Sequence, residues 1–128
     1  MEQNRKFDLE ERLIKFAIRM MEISENLPNT KAGNHISGQL VRSGSSPALN
    51  YGEAQAAESK ADFSHKMKII LKELRETRIC LKIIMLKPLL QNPNEIQSDM
   101  NECNELISIF AKSIKTVEKN MITKNEKK

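Results

Sequence analysis

Apolar residues recur at steps of three and four along most of this 128-residue chain, and three breaks, at Pro28–Lys31, near Ser59–Ala61 and at Leu89–Asn92, cut the pattern into four stretches. An α-helix turns about 100° per residue, so this spacing lines one helical face, whereas a strand would need strict alternation. Long helices joined by short connections lie antiparallel to their sequence neighbours. The expected fold is therefore all-α, an antiparallel up-down-up-down four-helix bundle forming one domain over residues 1–128. Aromatic residues make up only 4% of the chain, with no Trp. The core must come from Leu, Ile, Met, Phe and Ala, a mixture that favours helices over sandwiches and barrels.

The first helix is expected over about 8–27. Asp8 and Glu11 have capping-box spacing. Leu9, Leu13, Phe16, Ala17, Met20, Ile23 and Leu27 form the stripe, and Pro28 stops it. The second helix, about 34–58, runs against propensity: Gly33, Gly38, Gly44 and Gly52 lie in or beside it, together with Pro47. An interior glycine costs about 1 kcal/mol and an interior proline about 3. One of its faces carries Ile36, Leu40, Pro47 and Ala54, with Ser43 in the gap. The other carries Gly38, Ser45, Leu49, Gly52 and Ala56, a smooth stripe suited to close approach by another helix. Pro47 cannot donate to the Ser43 carbonyl, so a kink is expected there, with two shorter helices as the alternative.

The third helix, about 62–87, ends before Pro88 and has the core stripe Phe63, Met67, Ile70, Leu71, Leu74, Leu81 and Met85. A second apolar row, Ile69, Ile79, Ile83 and Leu86, points elsewhere. A lone bundle helix needs only one apolar face, so this row is read as an oligomer interface. The alternative cover is the N-terminal arm or Leu89–Leu90. The fourth helix, about 93–121, opens with an N-cap, a first-position proline and a Glu in Asn92-Pro93-Asn94-Glu95. Ile96, Met100, Cys103, Ile107, Phe110, Ile114, Val117 and Met121 continue the rhythm, and the charged tail beyond is expected to fray.

No catalytic site is legible. Walker and Gly-x-Ser-x-Gly signatures are absent. Cys80 and Cys103 are the only cysteines and read as reduced, apolar thiols. His35 and His65 lack the Glu three residues before them that a bundle metal site uses, so neither metal nor cofactor is expected. The chain start has no apolar signal-peptide core, and Ile79–Leu90 is broken by Lys82, Lys87 and Pro88, so no membrane association is expected and the reading is a cytoplasmic protein. Gln39, Arg42, Asn50 and Glu53 on the second helix face Glu73 and Glu76 on the third, and are read as a structural polar network built around an Arg42 ion pair. The net charge is +4. Lys68, Lys72, Arg75 and Lys82 share one side of the third helix, and Lys112, Lys115 and Lys119 one side of the fourth. Such rows suit phosphate tracking, but no aromatics interleave them for base stacking, and taken alone they are more commonly a solvated face.

Several segments together resemble a known family. They are Asp8–Leu13 with Phe16-Ala17, Leu27-Pro28, Gln39–Ser43, Pro47–Ala54, Ser59, Asp62-Phe63 and Ile69–Glu76. The likeness is to the four helix bundle proteins, also called 23S rRNA intervening sequence or S23-like proteins, from Phe7 to about Val117, with the fourth helix matching in pattern only. A small residue is usual where this chain has Gly44, and an Ile near Leu49. The resemblance implies a bacterial-type up-down bundle assembling as a ring-shaped homopentamer. It also implies a distant relation to the basic pentameric accessory protein of diversity-generating retroelements. Many members are encoded within intervening sequences of ribosomal RNA genes, which locates the gene and does not establish binding. No catalytic residues carry over. The expectation is a non-enzymatic homo-oligomer that binds RNA or structured DNA through its basic faces, with no small-molecule substrate. The alternative is an oligomeric protein–protein scaffold.

Overall fold

The computed structural model describes residues 5–126, and the side-chain surroundings of residues 9–122. In chain order it contains α1 (Arg5–Glu25), α2 (Lys31–Gln55), α3 (Lys60–Leu86), a 3-10 turn (Pro93–Ile96) and α4 (Gln97–Glu126). Two hydroxyl caps set where the middle helices begin. Thr30 Oγ1 accepts the Gly33 N–H and Ser59 Oγ accepts the Asp62 N–H, each at 3.0 Å. Each satisfies one of the amide donors that a helix start leaves open. Neither cap was expected; α2 starts within the Lys31–Ile36 window that the sequence allows, and α3 starts slightly ahead of the expected Asp62.

Three other expectations about helix ends are corrected. α1 already runs from Arg5, so Asp8 lies within the helix, and its side-chain cap falls outside the described side chains. Asn92 makes no capping bond, because Pro93 leads into a tight 3-10 turn before α4 proper begins. α4 continues to Glu126, past the end expected near residue 121.

Each helix packs on its sequence neighbour, α4 closes back on α1 only thinly, and the diagonal pairs α1/α3 and α2/α4 have no backbone approach. That is a square bundle with one loose side. The core fills its centre: Leu13, Phe16 and Met20 from α1, Leu40 and Pro47 from α2, Ile70, Leu74 and Leu81 from α3, and Cys103, Leu106 and Phe110 from α4. Tyr51 meets Phe110 edge-to-face across the diagonal, with ring centroids 6.0 Å apart and planes at 84°, a favoured aromatic geometry. Leu89, Leu90 and Ile96 plug the end between α3 and α4.

α2 is one continuous helix through Pro47, which is buried, so the alternative of two shorter helices does not hold. The small-residue face needs a different correction. Gly38, Leu49, Gly52 and Ala56 point outward, and a Cβ at Gly38 or Gly52 would meet nothing within 4 Å. The close approach occurs at Gly44, where an added Cβ would stand 2.5 Å from Met20 Cγ and 2.6 Å from Met20 Cβ. Those atoms are near the α1 backbone and cannot swing aside as a side-chain tip would. Gly33 is confined too, since its Cβ would fall 1.9 Å from the Pro28 carbonyl oxygen.

Gly44→Ala is expected to destabilise the bundle by about 1–3 kcal/mol through overpacking. Gly38→Ala and Gly52→Ala are expected to stabilise it by about 0.5–1 kcal/mol, since they gain helix propensity at no steric cost. Urea unfolding of the three variants checks the contrast.

Candidate nucleic-acid interface

The side of α3 turned away from the core is one straight row. Lys68, Lys72, Arg75, Ile79, Lys82 and Leu86 are all exposed and follow one another at steps of four and three. Its first half is basic and its second half mixes apolar with basic. Ile83 stands beside it. Ile79, Ile83 and Leu86 are 53%, 41% and 83% exposed. Ile69, assigned to the same apolar row from sequence, is instead half-buried, because it lies on the α2 flank of α3. Leu89 and Leu90 are turned into the core and do not cover the row, and the N-terminal arm, the other cover considered, lies outside the described side chains.

Between α3 and α4 runs an open groove of about 540 Å³. Leu71, Ile79 and Ile114 line it with apolar surface, and Lys68, Lys72, Arg75 and Glu76 add charge. Lys68 bridges the helices, its Nζ lying 2.8 Å from a Glu118 carboxylate oxygen. On α4, Lys112, Lys115 and Lys119 are exposed. Among the described residues, Lys72, Arg75, Lys82, Lys112, Lys115 and Lys119 have no carboxylate within ion-pair distance. Two basic rows thus lie on neighbouring helices. Arg78 lies half-buried between these helices, its guanidinium donating to Asn104 Oδ1 at 3.3 Å, while its buried Nε–H has no protein acceptor among the described residues.

The polar residues expected at the α2/α3 seam divide. Arg42 donates to Glu73 at 2.9 Å, to Glu76 at 2.6 Å and to Gln39 at 3.1 Å. Glu73 is 9% exposed, so its carboxylate depends on that guanidinium. The hydrogen bond from Arg42 holds the Glu76 carboxyl below its ordinary value. Asn50 and Glu53 stand apart from this cluster, a correction to the sequence reading. Asn50 donates to Ser46 on its own helix, and Glu53 pairs with Lys66 at 2.9 Å. Beneath the seam, the Thr77 hydroxyl sits 2.9 Å from both the Ser43 hydroxyl and the Glu73 carbonyl.

Two features escaped the sequence reading. The loose α1/α4 side is clasped by paired Arg–carboxylate forks: Arg12 on Glu102 at 2.6 and 3.0 Å, and Arg19 on the buried Asp99 at 2.9 and 3.0 Å. These partners are 90 and 80 positions apart, so nothing local announces them. The second is an outward row on α1, Glu11, Ile14, Ile18, Met21 and Glu25, whose apolar members are 39–49% exposed. Its spacing was readable, but the stronger inward stripe drew the assignment.

Cys80 and Cys103 are buried. Burial pushes both thiols up, Cys103 to about 12, and the Cys103 thiol donates weakly to the Leu74 carbonyl. They are poor nucleophiles. Among the described residues no group of three His, Cys, Asp or Glu side chains could hold a metal ion, and no helix is long and apolar enough to cross a membrane.

The family described as 23S rRNA-intervening sequence protein matches residues 5–112. A crystal structure of a protein of unknown function, from the S23 ribosomal protein family of Bacteroides thetaiotaomicron VPI-5482, is similar at 28% identity with a TM-score of 0.78, over 88% of this chain and 99% of that one. No curated protein matches the chain.

Arg42→Met strands the Glu73 carboxylate and is expected to cost about 1–3 kcal/mol. Lys66→Met, which breaks an exposed pair, is expected to cost under about 1 kcal/mol; urea unfolding separates the two. Because the Glu76 pKa is lowered on folding, its contribution is present above its unfolded value and lost as pH falls through its folded value. Glu76→Gln is therefore expected to lower Tm slightly at neutral pH and to converge on the parent protein in acid. Thermal melts down through the carboxylate range check this.

Proposed function

This chain belongs to the 23S rRNA-intervening sequence protein family, and from that premise we propose a non-enzymatic protein that self-associates and binds structured RNA by its phosphates. The observation that carries the reading is the pair of neighbouring basic rows on α3 and α4, whose six cations beyond Lys68 lack a carboxylate partner among the described residues. Solvated lysines of this kind release condensed counterions when they meet phosphate, which makes binding steeply salt-dependent and largely sequence-tolerant. The absence of aromatics along the rows favours backbone contact over base stacking. The exposed Ile79, Ile83 and Leu86 support self-association, since such a row gains by being covered. A pentamer is the subunit number that the family resemblance implies, and the cytoplasm is the compartment that suits an RNA ligand.

A second reading, an oligomeric scaffold for another protein, is favoured by the apolar members of the α3 row. It predicts a stoichiometric protein partner and no RNA binding.

Titration of a structured RNA across a salt series decides between them. Binding is expected to weaken linearly in log–log form, with a slope of roughly 0.7–0.9 per phosphate contacted. Lys112→Glu with Lys115→Glu and Lys119→Glu is expected to lower affinity at least tenfold at low salt and to flatten that slope. No binding at low salt, or binding indifferent to salt, refutes the RNA reading. A monomeric mass at micromolar concentration refutes self-association.

A further inference from the structure

We infer that the α3/α4 seam holds a phosphate site centred on Arg78, in which a phosphate oxyanion takes the place that carboxylates occupy at the other arginines between helices. That RNA supplies this phosphate rests on the function proposed above; the site itself does not.

Arginines join neighbouring helices at the α1/α4, α2/α3 and α3/α4 seams, and of these only Arg78 lacks an anion. Arg12 meets Glu102 and Glu105, Arg19 meets Asp99 and Glu22, and Arg42 meets Glu73 and Glu76, all within 3.2 Å. Arg12 and Arg19 each set the fork of Nε and a terminal nitrogen on both oxygens of one carboxylate. Arg78 is half-buried, yet among the described residues no carboxylate lies within ion-pair distance of it. Its one acceptor there is the neutral Asn104, through a bond of 3.3 Å, and its buried Nε–H donates to nothing. A guanidinium stays charged throughout the pH range of a folded protein. Burying that charge beside a lone amide, with one donor unmet, is a cost that an incoming oxyanion removes.

The surroundings suit phosphate better than a carboxylate. Arg75 and Lys82 stand three residues before Arg78 and four after it, the spacing that sets side chains on one flank of a helix. Both are exposed, and neither has a carboxylate partner among the described residues. The Arg78 fork takes two oxygens of an oxyanion. A carboxylate then has none left, whereas a phosphate has further oxygens for Arg75 and Lys82. A single long hydrogen bond holds the guanidinium in the seam. A turn of its outer torsions brings the Nε–H to the rim where the two cations stand. Arg78 thus acts differently from the lysine rows. Lysines attract phosphate as point charges, and a planar fork fixes one phosphate by direction.

The missing acceptor also defines the test. Asn104→Asp puts a carboxylate where the amide now stands, and Arg78→Lys keeps the charge while removing the fork. Circular dichroism verifies that both variants fold. In isotopically labelled protein the Arg78 Nε–H magnetic resonance signal is identified by its loss in Arg78→Lys. In the parent protein it is expected to shift saturably with inorganic phosphate at constant ionic strength, and to ignore chloride and acetate. In Asn104→Asp it is expected to be shifted from the outset and to ignore phosphate. A structured RNA is expected to move the same signal in the parent, and Arg78→Lys to lower RNA affinity about tenfold although the charge is unchanged. A signal that ignores phosphate, or answers acetate equally, overturns the site. RNA binding that leaves both the signal and the Arg78→Lys affinity unaltered also overturns it, and the RNA reading then stands on the lysine rows alone. A signal that answers phosphate in a protein that binds no RNA supports the site and overturns the RNA reading.

Discussion

The arrangement of the helices turns on one place where a side chain is missing. At Gly44 the α2 backbone lies so close to Met20 of α1 that even a methyl group would collide with atoms near the α1 chain. Drawing the two helices together there sets the other sides of the square. α2 is tied to α3 by Arg42 on Glu73 and by the buried contact of Ser43 with Thr77, and α3 packs closely on α4. What remains is the α1/α4 side, left wider and spanned by arginines long enough to reach across it. An unfavourable helix-forming residue is thus kept at a position where contact outweighs propensity.

The polar contacts are distributed to match. Buried carboxylates occur at two seams, Glu73 between α2 and α3 and Asp99 between α1 and α4, and each receives a guanidinium. A buried charge without its partner is costly, so such pairs penalise any sliding of one helix along the next and define register more than they add net stability. The α3/α4 seam has weaker ties, a long Arg78–Asn104 hydrogen bond and the exposed Lys68–Glu118 pair. It is also the side with the open groove and the basic rows. The surface read as functional thus lies along a seam with weak polar ties, although its helices pack closely.

Two helices of this bundle are apolar on more than their inner face. On α1 and α3 the excess takes the form of 3/4-spaced outward rows, one acidic at its ends and the other interleaved with basic residues, while α4 carries its outward lysines with little apolar surface beside them.

The number of helices, their breaks and most of the core were legible in the sequence. Leu13, Met20, Leu40, Ile70, Leu74 and Phe110 sit at positions that a single face of period 3.6 dictates, and Pro28, Pro88 and Pro93 interrupt that period for local backbone reasons. The basic rows were legible for the same reason. Tertiary structure decided which polar groups meet, since Arg12 finds Glu102 and Arg19 finds Asp99 only after the chain has folded back three times. It decided which glycine was a contact: Gly44 and Gly52 look alike in sequence, but only Gly44 faces Met20. And it decided which apolar rows stay uncovered, turning Ile69 inward and leaving Ile14, Ile18, Ile79 and Leu86 outside. Periodicity is a property of one helix and shows that a face is apolar; whether that face is covered depends on where the other helices are, and that is set by packing.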